Sequence, residues 1–411
     1  MRFLKMSLLL ILSLFLTGCW DALELEEQAY VVAVGMDLGE GDNYYITYQI
    51  GNPQVGSSDR ANAEREPASE IITVLAPDKI SARELANVSV SRRVTFSHAK
   101  TFIISEELAK SEKFLEVFEA VTRDPQIKRQ MDIIISKERA EDFIRNNNPV
   151  LETRPHKNYE LMDERWKASG LVPASTINRF LQREEEDAVG FLAIYATIGK
   201  TDTKANGMED KYKAGEVDKT GGNTLQMIGA AVIKEGRMIG TINGEENRLT
   251  LLLRPHTEAT SWYATYPDPY KKEKHLTARI LRQGKPKIKV DVSQSKPIIT
   301  VEAPVKMQIL LMRSFIDYVD DQEKQKFLTK AIEGYLNEAS MVLVKKAQNE
   351  LKVDIFQWSL SARKEFLTIP EFEDYNWIDK FPQADVRVNF KVQITNFGKQ
   401  LKPININKIK E

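Results

Sequence analysis

The chain has 411 residues, 42% of them hydrophobic and 28% charged, with a formal net charge of −1. That length allows two or three domains with cores of their own, and that balance gives no general attraction to nucleic acid. The single cysteine, Cys19, excludes an internal disulfide.

Arg2 and Lys5 precede an uncharged apolar stretch from Met6 to Leu16. Its length suits the h-region of a signal peptide. A hydrocarbon core needs about twenty residues, so the stretch is too short to span it. Leu16-Thr17-Gly18-Cys19 then has the form of a lipobox. The expectation is a lipoprotein signal peptide over 1–18, cleavage before Cys19, and lipidation of the Cys19 thiol by diacylglycerol with palmitate-type acyl chains. Each buried methylene contributes about 0.8 kcal/mol, so two chains anchor stably where one does not. The competing readings are an ordinary secretory signal or a buried first helix with a chance cysteine. No later segment approaches spanning length, so the body after Cys19 reads as water-soluble.

Ala29 to Met36 and Tyr44 to Ile50 read as a hairpin around the turn residues Gly39 to Asn43. Gln54 to Ser69 is polar and reads as a loop, followed by a strand from Ile71 to Leu75. Ser81 is placed to cap a helix running to about Arg92, with Glu84 completing a capping box. A strand from Lys100 to Ile104, an amphipathic helix from Glu112 to Val121 and a buried-type run from Met131 to Ile135 follow. Helices are expected from Tyr159 to Ala168 and from Ser175 to Arg183, then a strand from Ala188 to Ile198. This interleaving points to a mixed α/β domain over 19–199. The charged stretch 200–222, ending in Gly221-Gly222, reads as a polar loop or linker.

The C-terminal region, 223–411, reads as α+β with up to two subdomains, giving about three domains in all. Thr224 to Lys234 and Arg237 to Ile242 form a hairpin around Glu235-Gly236, and a helix from Glu245 to Leu253 stops before Pro255. Strands over Glu258 to Tyr266, Leu276 to Arg282, Lys287 to Val292 and Ile298 to Leu310 suggest an antiparallel sheet. A long C-terminal amphipathic helix is expected from Asp321 to Leu351. Its core stripe would be Leu328, Ile332, Tyr335, Ala339, Val342 and Ala347. Ile355 to Phe366 reads as a second helix, and Ala384 to Thr395 as a last, cleanly alternating strand.

Catalytic signals are absent. His98, His156, His256 and His275 show no metal-ligand spacing, and no nucleophile elbow, P-loop or dinucleotide fingerprint occurs. No catalytic residue, metal site or cofactor is therefore assigned. Glu184-Glu185-Glu186-Asp187 and Glu245-Glu246 are acid runs. Acid–base catalysis needs carboxylates in different environments, which neighbours in a charge run seldom have; they read as a solvated helix end and a helix N-terminus. Lys285, Lys287 and Lys289 share one strand face, with Lys271, Lys272, Lys274, Arg279 and Arg282 near in sequence. The preferred reading is a solvated strand rim whose lysines discourage edge pairing; the alternative is a face toward anionic headgroups or an acidic partner.

Several runs stand in one order along the chain: Cys19-Trp20-Asp21; Val34-Gly35-Met36-Asp37; Arg92-Arg93 before Ser97-His98-Ala99-Lys100 and Phe102-Ile103-Ile104; Ile228-Gly229-Ala230-Ala231-Val232; Asn243-Gly244-Glu245-Glu246; and Asp354-Ile355-Phe356 before the final Val-rich strand. Over about residues 16 to 398 the chain resembles the Ger(x)C lipoproteins, the C subunits of spore germinant receptors in endospore-forming bacteria. Met36 departs from a branched aliphatic residue, and Gln357-Trp358 from a Gly-containing run. The resemblance implies three packed mixed α/β domains and a diacylglyceryl anchor at Cys19 on the outer face of the spore inner membrane. It also implies assembly with A and B membrane subunits in a complex that senses nutrients. Whether this subunit meets the nutrient ligand is left open. The competing functions are a solute-binding lipoprotein of a transporter and a lipid-anchored envelope hydrolase.

Overall fold

A computed structural model describes residues 24–52, 67–152, 154–186, 189–201, 208–257 and 259–398. Cys19, most of the expected 54–69 loop, and the ends of the strands expected from Ala188 and Glu258 lie outside the described residues. The fold is α+β, built on two sheets.

The first sheet has nine strands. They are β1 (Gln28–Leu38), β2 (Tyr44–Gly51), β3 (Ser69–Ala76), β4 (Arg93–Thr95), β5 (Thr101–Ser105), β6 (Asp132–Ser136), β7 (Phe191–Thr197), β8 (Gln226–Lys234) and β9 (Arg237–Ile242). Their order is β3-β2-β1-β5-β6-β7-β8-β9, with β4 added to the start of β1. The centre, β1-β5-β6-β7, is parallel, and antiparallel hairpins flank it on both sides.

Parallel strands covered on both faces are continuous apolar runs rather than alternating ones, which accounts for Phe102-Ile103-Ile104 and Ile133-Ile134-Ile135. Phe102, Ile104, Ile133 and Ile135 enter one core with Phe114, Phe118 and Phe180. Ile103 and Ile134 enter the opposite core with Phe143, Ile144 and Tyr159.

The second sheet comprises β10 (Ser261–Pro267), β11 (His275–Arg282), β12 (Lys287–Asp291), β13 (Ile298–Met312) and β14 (Asp385–Asn396). Its order is β10-β11-β13-β12, antiparallel as expected, while β14 joins β13 in parallel. Buried and half-buried positions alternate along β13, as in a sheet covered on one face. The Gln322–Lys346 helix packs against β14.

Local differences from the sequence reading have local causes. The helix expected at Ser81 is capped by Asp78, whose carboxylate accepts from Ile80 N at 2.7 Å and Ser81 N at 3.0 Å. It stops at Asn87, and Asn87 Oδ1 accepts from Val94 N at 3.0 Å as β4 begins. The core stripe of the long helix runs through Leu328, Ile332, Leu336, Ser340, Leu343 and Ala347. Val342 is 63% exposed; steps of three and four residues carry the stripe past it.

No single helix covers Ile355 to Phe366. Asp354 Oδ1 accepts from Phe356 N and its Oδ2 from Ser359 N, which closes a turn through Gln357 at φ 62° and leaves short Ser359–Ala362 and Arg363–Glu365 segments. Within the expected 200–222 linker, Tyr212 and Ala214 are buried in the first core. The backbone N–H groups of Gly215 and Val217 both donate to the Gln226 side-chain oxygen.

Candidate functional site

The three histidines whose side chains are described lie apart. His98 is exposed, its ring 4.6 Å from Tyr30; His256 is exposed; His275 lies on β11 beside Pro267. Among the described residues no group of three or more His, Cys, Asp or Glu could hold a metal ion. Among them, too, no helix is long and apolar enough to cross a membrane. Glu186 pairs with Arg183 at the end of the Ile177–Glu185 helix. Lys287 and Lys289 are exposed along β12, and Lys285 precedes the strand.

The sequence runs that carry the resemblance serve the framework instead. Asp37, at the end of its run, is 2% exposed and reaches across the sheet. Its carboxylate accepts from Ala140 N at 2.7 Å and Glu141 N at 3.1 Å, capping the Ala140–Asn146 helix. Burial raises its pKa, and those two N–H groups oppose the rise. Gly35, two residues earlier, lets that helix approach: a Cβ there would lie 2.9 Å from Ile144 Cδ1 and 3.2 Å from Ala140 Cβ. In the run 228–232, Gly229 has φ 83°, and a Cβ would lie 2.2 Å from the Ile242 carbonyl oxygen.

The later runs build the joint between the sheets. Asn243 and Glu246 form a capping box at the start of the Gly244–Leu253 helix. Lys346, from the long helix of the second unit, donates to both Glu246 oxygens at 2.8 and 2.9 Å. Tyr335 from the same helix donates to Glu245 at 2.6 Å. The acid pair is thus engaged in fixing one helix against another. Asp354 accepts, besides its own turn, from Trp377 Nε1 at 3.2 Å, and Trp358 Nε1 donates to Leu253 O at 3.1 Å. Side chains from both sheets share one core there: Leu192, Ala230 and Val232 from the first, Ile299, Val301 and Phe390 from the second.

Sequence reasoning missed the residue that ties this joint most widely. Arg248, 5% exposed, donates to Asp210 Oδ2 and Tyr263 O at 2.9 Å and to Ser169 O at 3.2 Å. It thereby links the Pro155–Ser169 helix, the 208–222 segment and β10. Burial pushes the Asp210 carboxyl up to about 6, against the pull of Arg248. The available signal was a pair of arginines, Arg248 and Arg254, at the edges of the apolar run 249–253.

Away from the joint, a cleft of about 510 Å³ is lined by apolar residues such as Ile71, Ile144 and Val150 together with the neutral polar Gln49, Ser69, Asn147, Asn158 and Tyr159. Tyr159 donates to Gln49 Oε1 at 3.3 Å, and Asn147 Nδ2 donates to the Tyr159 hydroxyl at 3.4 Å. Among its described lining residues none is a carboxylate, histidine or lysine that could act as a general base.

Comparison with known proteins gives a consistent result. The family described as spore germination protein N-terminal domain matches residues 21–198. The family described as spore germination B3/GerAC like, C-terminal, matches residues 228–398. Spore germination protein B3 of Bacillus subtilis (strain 168) is 22% identical, over 96% of this chain and 98% of its own. Spore germination protein KC of the same organism is 24% identical, over 80% of this chain and 82% of its own. The crystal structure of the GerBC protein superposes with a TM-score of 0.53 at 17% identity, covering 88% of this chain and 97% of that one. Two framework halves, each matched by its own family description and both found in one solved fold, make the assignment: the chain belongs to the Ger(x)C family of spore germination proteins.

Proposed function

We propose that the chain is the membrane-tethered, non-catalytic C subunit of a nutrient germinant receptor, required to start spore germination. Cys19, as a diacylglyceryl thioether, holds it on the outer face of the spore inner membrane beside the A and B membrane subunits. The observation that carries the non-catalytic part is the use made of the family-run polar groups. Asp37, Asn243, Glu245, Glu246 and Asp354 are engaged by backbone N–H groups or by side chains of neighbouring helices. Groups so engaged hold elements in place, which supports a structural use for them. The lipobox Leu16-Thr17-Gly18-Cys19 supports the tether.

The test is genetic and proximal. Deleting the gene in a strain lacking sister receptors abolishes germination with this receptor's nutrients, and crosslinking in intact spores captures the A and B subunits. Unchanged germination, or capture of neither subunit, overturns the reading.

A further inference from the structure

Beside the joint, on the side of the Ile177–Glu185 helix, a second cleft of about 440 Å³ is lined by arginines. Arg179 and Arg183 reach it from that helix, Arg254 from the end of the Gly244–Leu253 helix, and Gln357 from the turn after Asp354. Arg254 is 6% exposed. Among the described residues it makes one side-chain hydrogen bond, from Nε to Ile355 O at 2.9 Å, and the residue lines the cleft.

Among the described residues Arg254 forms no ion pair within 4 Å. Asp354 is the acid nearest in effect, but Phe356 N, Ser359 N and Trp377 Nε1 already occupy its oxygens. Arg183 is turned along its own helix toward Glu186. Burial, reinforced by the charges of Arg183 and Arg179, pushes Arg254 down to about 9. At the rim, His256 feels Lys285, Arg282 and Lys364, all cationic. A buried cation without a dedicated counter-ion is costly to keep, and a guanidinium fork matches the planar oxygens of carboxylates and phosphates. The N-terminus of the Ile177–Glu185 helix contributes nothing here. Ile177 N donates to Met131 O and Asn178 N to Arg129 O, so these N–H groups are not offered to the cleft.

We propose that this cleft binds a small oxyanion, a carboxylate or phosphate group seated on Arg254 with Arg179 and Arg183 at its mouth. The walls come from both sides of the joint, so an occupant stiffens one unit against the other. The site stands independently of the tether at Cys19.

The test uses the full chain in non-ionic detergent at fixed ionic strength, with calorimetry and thermal melts. The probes are inorganic phosphate, succinate and glycerol phosphate, with chloride as reference. At least one probe binds saturably and raises the melting temperature beyond chloride. Its Kd weakens at least tenfold in Arg254→Met. Loss of a buried arginine can itself unfold the chain, so Arg179→Gln provides the second variant, with a three- to tenfold weaker Kd. Tighter binding of glycerol phosphate than of phosphate or succinate marks a lipid headgroup as the source; the reverse marks a free solute anion. No effect beyond chloride, or equal Kd values in wild type and both variants, overturns the site.

Discussion

The two sheets solve the burial problem in opposite ways. The first is covered on both faces, so β5, β6 and β7 are buried at every position. The second is covered on one face and alternates along β10, β11 and β13. These doubly covered strands have no wet side on which to put a charge. Ionisable groups buried around them are paired or capped: Lys79 with Asp124, and Asp37 with the start of a helix. The second sheet carries Lys287, Lys289, Arg387 and Lys391 on exposed positions, where water solvates them. The first region should therefore be intolerant of single substitutions and the open face of the second tolerant.

The largest expected effect is at Gly229→Ala on β8. The added Cβ meets a backbone oxygen that cannot move aside as a flexible side chain would, at a φ that disfavours any Cβ. The expected outcome is no cooperatively folding protein, read by circular dichroism on the soluble fraction. Next is Lys79→Met. Lys79 and Asp124 are 2% and 5% exposed at their side chains. Burial draws the Asp124 carboxyl up, yet the hydrogen bonds from Lys79 and Gln126 N more than offset this and hold it below its usual range. Removing one partner of a buried pair costs about 3–5 kcal/mol, measured by urea unfolding. Lys79→Met combined with Asp124→Leu should recover much of that loss.

A smaller effect probes the joint between the regions. The Asp210 carboxyl lies at about 6 when folded, above the unfolded value of about 3.9. An acid with a raised folded pKa holds its proton more tightly in the native state. Its contribution is full below about pH 4 and lost as pH rises through about 6. The melting temperature of the wild type should therefore fall relative to Asp210→Asn between those pH values, and the difference should level off above them. The smallest effect is on the open face: Lys287→Ser with Lys289→Ser should change stability by no more than about 0.5 kcal/mol.

The same contrast governs how far the sequence could be read. Alternation marked β10 to β14 and their turns, because one wet face writes polar residues at every second position. In the first sheet, the continuous apolar runs of β5 and β6 marked buried strands but carried no sign of which faces the helices would cover. The Ala140–Asn146 helix went unread because its cap, Asp37, lies on another strand. Likewise Asp354, a local hydrogen-bond acceptor, replaced an expected helix with a turn. Arg248 and Arg254 escaped notice because their partners, Asp210, Tyr263 and Ile355, are distant in sequence or are backbone carbonyls. The acid pair Glu245-Glu246 was legible as a helix N-terminus, but its hold on Lys346 and Tyr335 was not, since about a hundred residues intervene.

The claim on which the functional account rests is that Cys19 carries the lipid that holds these two sheets at a membrane surface beside their partner subunits. Mass spectrometry of the N-terminal peptide of the protein purified from spores tests it directly. The account predicts a peptide beginning at Cys19 with a diacylglyceryl thioether, and a Cys19→Ala variant that leaves the membrane fraction. An unmodified Cys19 peptide, or a variant that stays tightly bound to membranes, would contradict it.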